Sequence, residues 1–96
     1  MSNIYDVILE TPVGKRYGKM NVSIHDKNIS GILHILKGAE LFEGEIEDNG
    51  YCRIQGHLST LMHRIPYMAT GIIKEQLELK LLCDKECFRL VGEQSV

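Results

Sequence analysis

Apolar and polar residues alternate with a period of two along most of this chain. Between residues 17 and 25, Met20 and Val22 fall on one side of the alternation, while Lys19 and Asn21 fall on the other. Period two is typical of a half-buried β-strand, because successive side chains point to opposite faces of a sheet. The pattern predicts eight strands, over residues 4–11, 17–25, 29–36, 41–47, 51–59, 65–73, 77–83 and 87–93. No segment has a convincing helical period, so we expect an all-β protein.

Glycines recur on the apolar side of these alternating runs. Six share this position: Gly18, Gly31, Gly44, Gly56, Gly71 and Gly92. Glycine weakens a strand, so one inward glycine in most strands indicates backbone that bends or approaches a neighbour closely. This arrangement is typical of the corners of small closed sheets.

The connection around Asn49-Gly50 tests how the fourth and fifth strands pair. A two-residue turn at this dipeptide would place inward Ile46 opposite outward Arg53, so the parity of the two strands excludes it. A three-residue loop, 48–50, with Gly50 in the left-handed conformation restores the parity. The resulting register pairs Ile46 with Cys52, Gly44 with Ile54, Phe42 with Gly56 and Glu45 with Arg53. It also predicts that the Phe42 ring covers a glycine across the strands, which recovers lost packing.

Short strands joined by short loops favour an eight-stranded antiparallel up-and-down meander that closes into a small barrel. We expect one domain over residues 1–96, because a chain of this length supports a single core. The alternative is a strongly coiled open sheet or a sandwich, completed by dimerisation. Pro66 lacks a backbone N–H, so the sixth strand should be an edge or bulged at that point.

Several segments together resemble small calycin-like, or lipocalin-like, β-barrels, among which several bacterial families are uncharacterised. They are Ser30-Gly31-Ile32-Leu33, Phe42-Glu43-Gly44-Glu45-Ile46, Ile54-Gln55-Gly56-His57-Leu58, Thr70-Gly71-Ile72-Ile73 and Phe88-Arg89-Leu90-Val91-Gly92. The resemblance implies a closed antiparallel barrel. The chain has no tryptophan, so the Gly-x-Trp signature of lipocalins is absent.

Composition narrows the range of partners and compartments. The net charge is −2, with 11 basic and 13 acidic residues, so we expect neither nucleic acid nor an anionic membrane as a partner. The longest uncharged apolar-rich stretches, 28–36 and 65–73, have about half the length of a membrane-spanning helix. Residues 1–11 lack the pattern of a signal peptide, and an odd number of cysteines suits a reducing compartment. We therefore expect a cytoplasmic protein.

Reactive residue types are present but do not form a recognisable catalytic or metal-binding motif. Cys83 continues an inward series, whereas Cys87 should point outward, so neither a disulfide nor a shared metal site is expected. The four histidines, His25, His34, His57 and His63, fall on outward positions or in turns. Ser59, Thr60 and His63 lack an accompanying nucleophile-elbow motif. We therefore predict no catalytic residue, metal or cofactor.

Tyr67 is the best position for a ligand-facing polar group. It belongs to an inward series and has the small residues Ala69 and Gly71 beside it. Phe42 and Met20 share the inward face, so a pocket there would have an apolar lining with one hydroxyl group. Such a lining suits a small apolar or amphipathic molecule. The other interpretation is a core tyrosine whose hydroxyl bonds to the backbone at the barrel rim.

Apolar residues also occur on outward positions, where no helix covers them: Ile8, Ile32, Leu36, Met68, Ile72 and Leu82. A contiguous exposed apolar patch usually marks an interface, so we predict a homodimer.

Two classes of function follow. The favoured one is a non-enzymatic barrel that binds a small apolar ligand or a protein partner. The alternative is a small enzyme or an accessory subunit, with His57, His63, Arg64 and Tyr67 gathered at one barrel mouth. A mainly structural role is a third possibility, since fold alone does not give function.

Overall fold

The computed structural model describes residues 2–95, which form eight antiparallel strands without a helix. The strands are β1 (Ser2–Thr11), β2 (Gly14–His25), β3 (Asn28–Ile35), β4 (Gly38–Ile46), β5 (Tyr51–Ser59), β6 (Arg64–Ile73), β7 (Gln76–Cys83) and β8 (Glu86–Gln94). Each expected strand is present. β2 and β4 begin three residues earlier than the apolar alternation predicts, because their ladders continue to the turns through the pairs Thr11↔Gly14 and Ile35↔Gly38.

The sheet closes on itself. Every strand pairs with the next one along the chain, and β1 also pairs with β8 from Tyr5↔Gln94 to Glu10↔Arg89. The predicted up-and-down barrel is therefore confirmed, and the alternative of an open sheet or sandwich is wrong. Closure leaves no lengthwise sheet edge for another chain to extend.

One face of every strand fills the barrel. On β7, Leu77, Leu79, Leu81 and Cys83 alternate strictly with exposed residues and are all buried. No polar or charged residue is buried among residues 2–95, so the interior is an apolar core. Burying this apolar surface is the main favourable contribution to folding.

Inward glycines lie where neighbouring backbones approach most closely. A Cβ atom built on Gly44 would lie 2.0 Å from the carbonyl oxygen of Arg53, and one on Gly31 would lie 1.8 Å from that of Asn21. Similar contacts occur at Gly18, Gly71 and Gly92. These five glycines lie at the β2/β3, β4/β5, β6/β7 and β8/β1 boundaries of a barrel that measures 36 × 27 × 19 Å.

The hairpin between β4 and β5 has the register expected from parity. Ile46 pairs with Cys52, and the pairing continues to Phe42↔Gly56. Gly50 has a φ of 90°, and its N–H donates to the carbonyl oxygen of Glu47 at 2.9 Å. The loop therefore requires the positive φ that glycine adopts without strain.

Pro66 occupies a place where β6 is paired on one side. Pro66 is opposite His57 on β5, whereas the ladder to β7 begins two residues later, at Met68↔Leu82. The expected local edge is confirmed, and the missing N–H of proline costs no β6–β7 ladder hydrogen bond.

Candidate functional site

A groove with a volume of about 780 Å³ crosses the outer side of the barrel from β3 to β7. We call it the outer groove. Most of its lining comes from outward positions: Ser30, Ile32, Leu41, Glu43, Gln55, His57, Pro66, Met68 and Leu82. Four further lining residues belong to inward series: Gly31, Phe42, Gly56 and Tyr67. The strand pairings bring the apolar members together, since Ile32 lies opposite Leu41 and Met68 lies opposite Leu82.

Two aromatic rings fill the space beside the two glycines of this lining. A Cβ atom built on Gly31 would lie 2.8 Å from Cζ of Phe42, and one on Gly56 would lie 2.8 Å from the hydroxyl oxygen of Tyr67. Each ring thus faces the glycine directly opposite on a neighbouring strand. The strand register pairs Phe42 with Gly56, as expected. The expected ring contact is different, because the tip of the Phe42 ring covers Gly31 and the Tyr67 ring lies beside Gly56.

Tyr67 is only 4% exposed, and its hydroxyl lies on the core side of the sheet, beside Gly56. Burial, with a smaller contribution from the nearby Cys83 thiol, raises the pKa of Tyr67. The phenol therefore stays neutral and is able to donate a hydrogen bond.

Met20 lies away from the outer groove. It is fully buried in β2, between Tyr5 on β1 and Leu33 on β3. Of the three ligand-binding residues expected from the sequence, the structure therefore places Phe42 and Tyr67 at one groove, and Met20 elsewhere in the core.

Arg64 is engaged by a residue that the sequence analysis did not single out. Its Nε and one terminal nitrogen donate to Oε1 of Glu40 at 3.2 and 3.0 Å, and the Ser59 hydroxyl donates to the other carboxylate oxygen. These two hydrogen-bonding partners, Ser59 first and Arg64 second, lower the pKa of Glu40. Glu40 was missed because its partners are distant in the sequence, and only the sheet brings them together.

The four polar residues proposed for a barrel mouth have different surroundings. His57 and Tyr67 belong to opposite faces of the sheet, although both line the outer groove. The backbone carbonyl of His63 closes the β5–β6 loop by accepting from Thr60 N at 2.8 Å. Arg64 is bound to Glu40.

Cys83 and Cys87 lie on either side of the turn between β7 and β8, whereas Cys52 lies on β5. Cys52 and Cys83 are buried, Cys87 is exposed, and all three are free thiols, which confirms that Cys83 and Cys87 occupy opposite faces. Within residues 2–95, no three His, Cys, Asp or Glu side chains are grouped closely enough to hold a metal ion.

Five of the six outward apolar residues expected from the sequence line two grooves, and the sixth, Leu36, lies in the turn after β3. Ile32, Met68 and Leu82 line the outer groove, whereas Ile8 and Ile72 line a second, more polar groove of about 1490 Å³. Leu41, which the sequence analysis did not count among them, is 73% exposed at the outer groove. The largest concentration of these apolar side chains is therefore at the groove that Phe42 and Tyr67 border.

In the described part of the chain, no helix has the length and apolar character needed to cross a bilayer. The chain matches no protein-family model, and neither curated proteins nor solved structures gave a significant match.

Proposed function

We propose that this protein is a non-enzymatic, calycin-like binding barrel whose outer groove takes a small apolar or amphipathic molecule. The observation that carries the proposal is the concentration of exposed apolar side chains from Leu41, Met68 and Leu82 at the outer groove. A contiguous exposed apolar patch usually marks a binding site. A ligand with an apolar body would remove these side chains from contact with water.

The size and chemistry of the outer groove indicate the class of ligand. Its volume of about 780 Å³ lies within the roughly 300–1,000 Å³ common for small-molecule sites. Ile32, Leu41, Met68 and Leu82 offer apolar contacts, and the side-chain amide of Gln55 offers a hydrogen-bond donor. Glu43 at the same groove disfavours an anionic group, so a neutral carbonyl or ether oxygen on an apolar body fits best.

Nile red, a neutral apolar dye with a carbonyl oxygen, is a suitable probe. We expect its fluorescence to rise on binding, and Met68→Glu to weaken binding at least about tenfold by introducing a charge that must be desolvated. Ile72→Glu is the matched control, because Ile72 is another outward residue on β6 that lines the second groove instead. Equal affinities for Met68→Glu and the unaltered protein would contradict the proposal.

The polar contact has its own test. Gln55→Leu removes one neutral hydrogen-bond donor from the outer groove, so we expect Nile red to bind about 2–12 times more weakly. Gln76→Leu is the control, because Gln76 is exposed on β7 and lines the second groove. Native mass spectrometry of protein purified from its own host, without harsh washing, would show whether a natural ligand stays bound.

A homodimer is a further part of the proposal. Leu41, Met68 and Leu82 stand at least half exposed around the outer groove, and a second copy seated there would bury them and enclose the ligand. Sedimentation at micromolar concentration should give a dimer, and Leu41→Lys should shift it to the monomer. A monomer from the unaltered protein would refute the dimer and leave the ligand site standing.

We place the protein in the cytoplasm. The support is that all three cysteines are free, which suits a compartment that keeps thiols reduced. Catalysis at a barrel mouth is the less favoured function, because Arg64 is bound to Glu40 and His57 projects from the face opposite Tyr67.

A further inference from the structure

Four of the seven connections between strands lie at one end of the barrel, which we call the four-turn end. They are residues 12–13, 36–37, 60–63 and 84–85. The other three, 26–27, 47–50 and 74–75, lie at the opposite end because the meander reverses direction at every strand. A hydrogen bond from Lys37 N to the Ser59 carbonyl oxygen, at 3.2 Å, joins the 36–37 connection to the end of β5.

The four-turn end presents the most exposed large apolar side chains among residues 2–95. Val13 and Leu61 are each 81% exposed, Met62 is 80% exposed, and Leu36 adds a fourth apolar side chain at the tip of its turn. Apolar side chains are therefore exposed on three different connections of the same end. The core does not use these side chains, so their exposure has no explanation in the packing of the barrel.

Unpaired cations surround these apolar tips. Lys15, Arg16, Lys37 and Lys85 lie in or beside the connections of this end, and none of them forms an ion pair within the described chain. Two acidic residues of this end are already paired, because Glu40 binds Arg64 and Glu10 binds Arg89. Asp84 and Glu86, which flank Lys85, are the acidic residues of this end that form no ion pair within the described chain.

Acidic residues concentrate at the opposite end. Six acidic residues lie in or near its connections, against the three basic residues Lys27, Arg53 and Lys74. The acidic residues are Asp26, Glu45, Glu47, Asp48, Glu75 and Glu93. The net charge of −2 conceals this separation, because it sums the two ends. The fold therefore gives the chain a positive, apolar-tipped end that its composition does not indicate.

We propose that the four-turn end docks on an anionic lipid bilayer. Apolar loop tips enter the boundary between headgroups and acyl chains, while lysine and arginine side chains remain at the level of the anionic headgroups. A second copy placed tip to tip would instead bring these cations face to face, which like-charge repulsion disfavours. This proposal is independent of the outer groove, and it departs from the expectation set by net charge alone.

Cosedimentation of the full chain with lipid vesicles tests the proposal. We expect the protein to bind mixed phosphatidylcholine/phosphatidylglycerol vesicles, to bind phosphatidylcholine vesicles weakly, and to lose binding at high ionic strength. Leu61→Ser with Met62→Ser should reduce partitioning at least about tenfold, and so should Lys15→Glu with Lys37→Glu. All four side chains are exposed, so these variants should fold normally.

Matched controls change the opposite end. Ile4→Ser removes an exposed apolar side chain there, and Lys27→Glu reverses an exposed charge, so neither should alter vesicle binding. Absence of binding to anionic vesicles, or equal losses from changes at both ends, would overturn the proposal. Binding to a DNA oligonucleotide that depends on Lys15 and Lys37 but not on Leu61 would assign the surface to nucleic acid instead. A dimer abolished by Leu61→Ser would assign it to a second copy.

Discussion

The hydroxyl oxygen of Tyr67 occupies the space in which a side chain at Gly56 would lie. The two residues are directly opposite each other on β6 and β5, and a Cβ atom on Gly56 would be 2.8 Å from that oxygen. The absence of a side chain at one position thus creates room for the phenol at the other. This relationship joins the packing of the core to the outer groove, which both residues line.

Gly56→Ala should destabilise the protein by about 1–3 kcal/mol, because the methyl group overpacks a filled site. The new carbon would also lie 3.1 Å from the Leu41 carbonyl oxygen, which limits relief by backbone movement. Urea unfolding would measure the cost. In a Tyr67→Phe background, Gly56→Ala should lower the unfolding free energy by less, because the closest atom, the Tyr67 hydroxyl oxygen, is absent. Equal losses in the two backgrounds would show that the contact with the hydroxyl does not determine the effect.

Gly44→Ala should destabilise the protein more than Gly56→Ala does. We expect it to lower the unfolding free energy by more than about 3 kcal/mol, which is in the upper range for single substitutions. The added carbon would lie 2.0 Å from the Arg53 carbonyl oxygen. Because the β4–β5 hydrogen bonds hold this backbone in place, moving it to relieve the clash would break them. Gly38→Ala is the control, because the nearest atoms there belong to the Ser59 side chain, at 3.0 and 3.3 Å. Similar thermal unfolding for the two variants would argue against a close backbone approach at Gly44.

The three thiols should react at very different rates. Burial raises the pKa of the Cys52 thiol to about 11, and burial also raises the pKa of the Cys83 thiol, whereas Cys87 is exposed. Because the thiolate is the reactive form, only about one Cys52 thiol in a thousand is reactive at pH 8. A disulfide reagent such as DTNB should therefore modify one thiol rapidly and the other two on unfolding.

Cys87→Ser provides the control for this measurement. It should abolish the rapid phase and leave the two slow thiols unchanged. A rapid phase that persists in this variant would mean that a buried cysteine becomes accessible through local opening of the barrel.

Glu40 should make stability depend on pH. Hydrogen bonds from Ser59 and Arg64 lower the pKa of its carboxyl group below the ordinary 4.5, so the folded state favours the charged form. This contribution is present in full above the ordinary pKa and is lost as the pH falls through the lowered one. The difference in unfolding free energy between the unaltered protein and Glu40→Gln should therefore shrink on acidification.

Arg64→Gln should reduce the same pH dependence, since it removes one cause of the lowered pKa. Urea midpoints measured from neutral pH to below 4.5 provide the comparison. If the difference in unfolding free energy between Glu40→Gln and the unaltered protein stays constant over this pH range, Glu40 is not a source of the pH dependence.

The alternation of apolar and polar residues by itself determined which side of each strand faces the core. Side-chain direction reverses at every residue of a strand, so this information is local, and a shift by one residue would bury the charged set. For the same reason, parity predicted the three-residue loop at residues 48–50 and the opposite faces of Cys83 and Cys87. The inward glycines likewise predicted the close approach of neighbouring backbones.

Only the tertiary structure decided how the strands are placed around the barrel. Closure depends on the stagger of β1 against β8, from Tyr5↔Gln94 to Glu10↔Arg89, between residues that are almost the whole chain apart. The contact of Arg64 with Glu40 and the outer groove likewise depend on strand placement rather than on any local pattern. The separation of basic and acidic ends has the same origin, because hairpin connections gather charges that are scattered along the sequence.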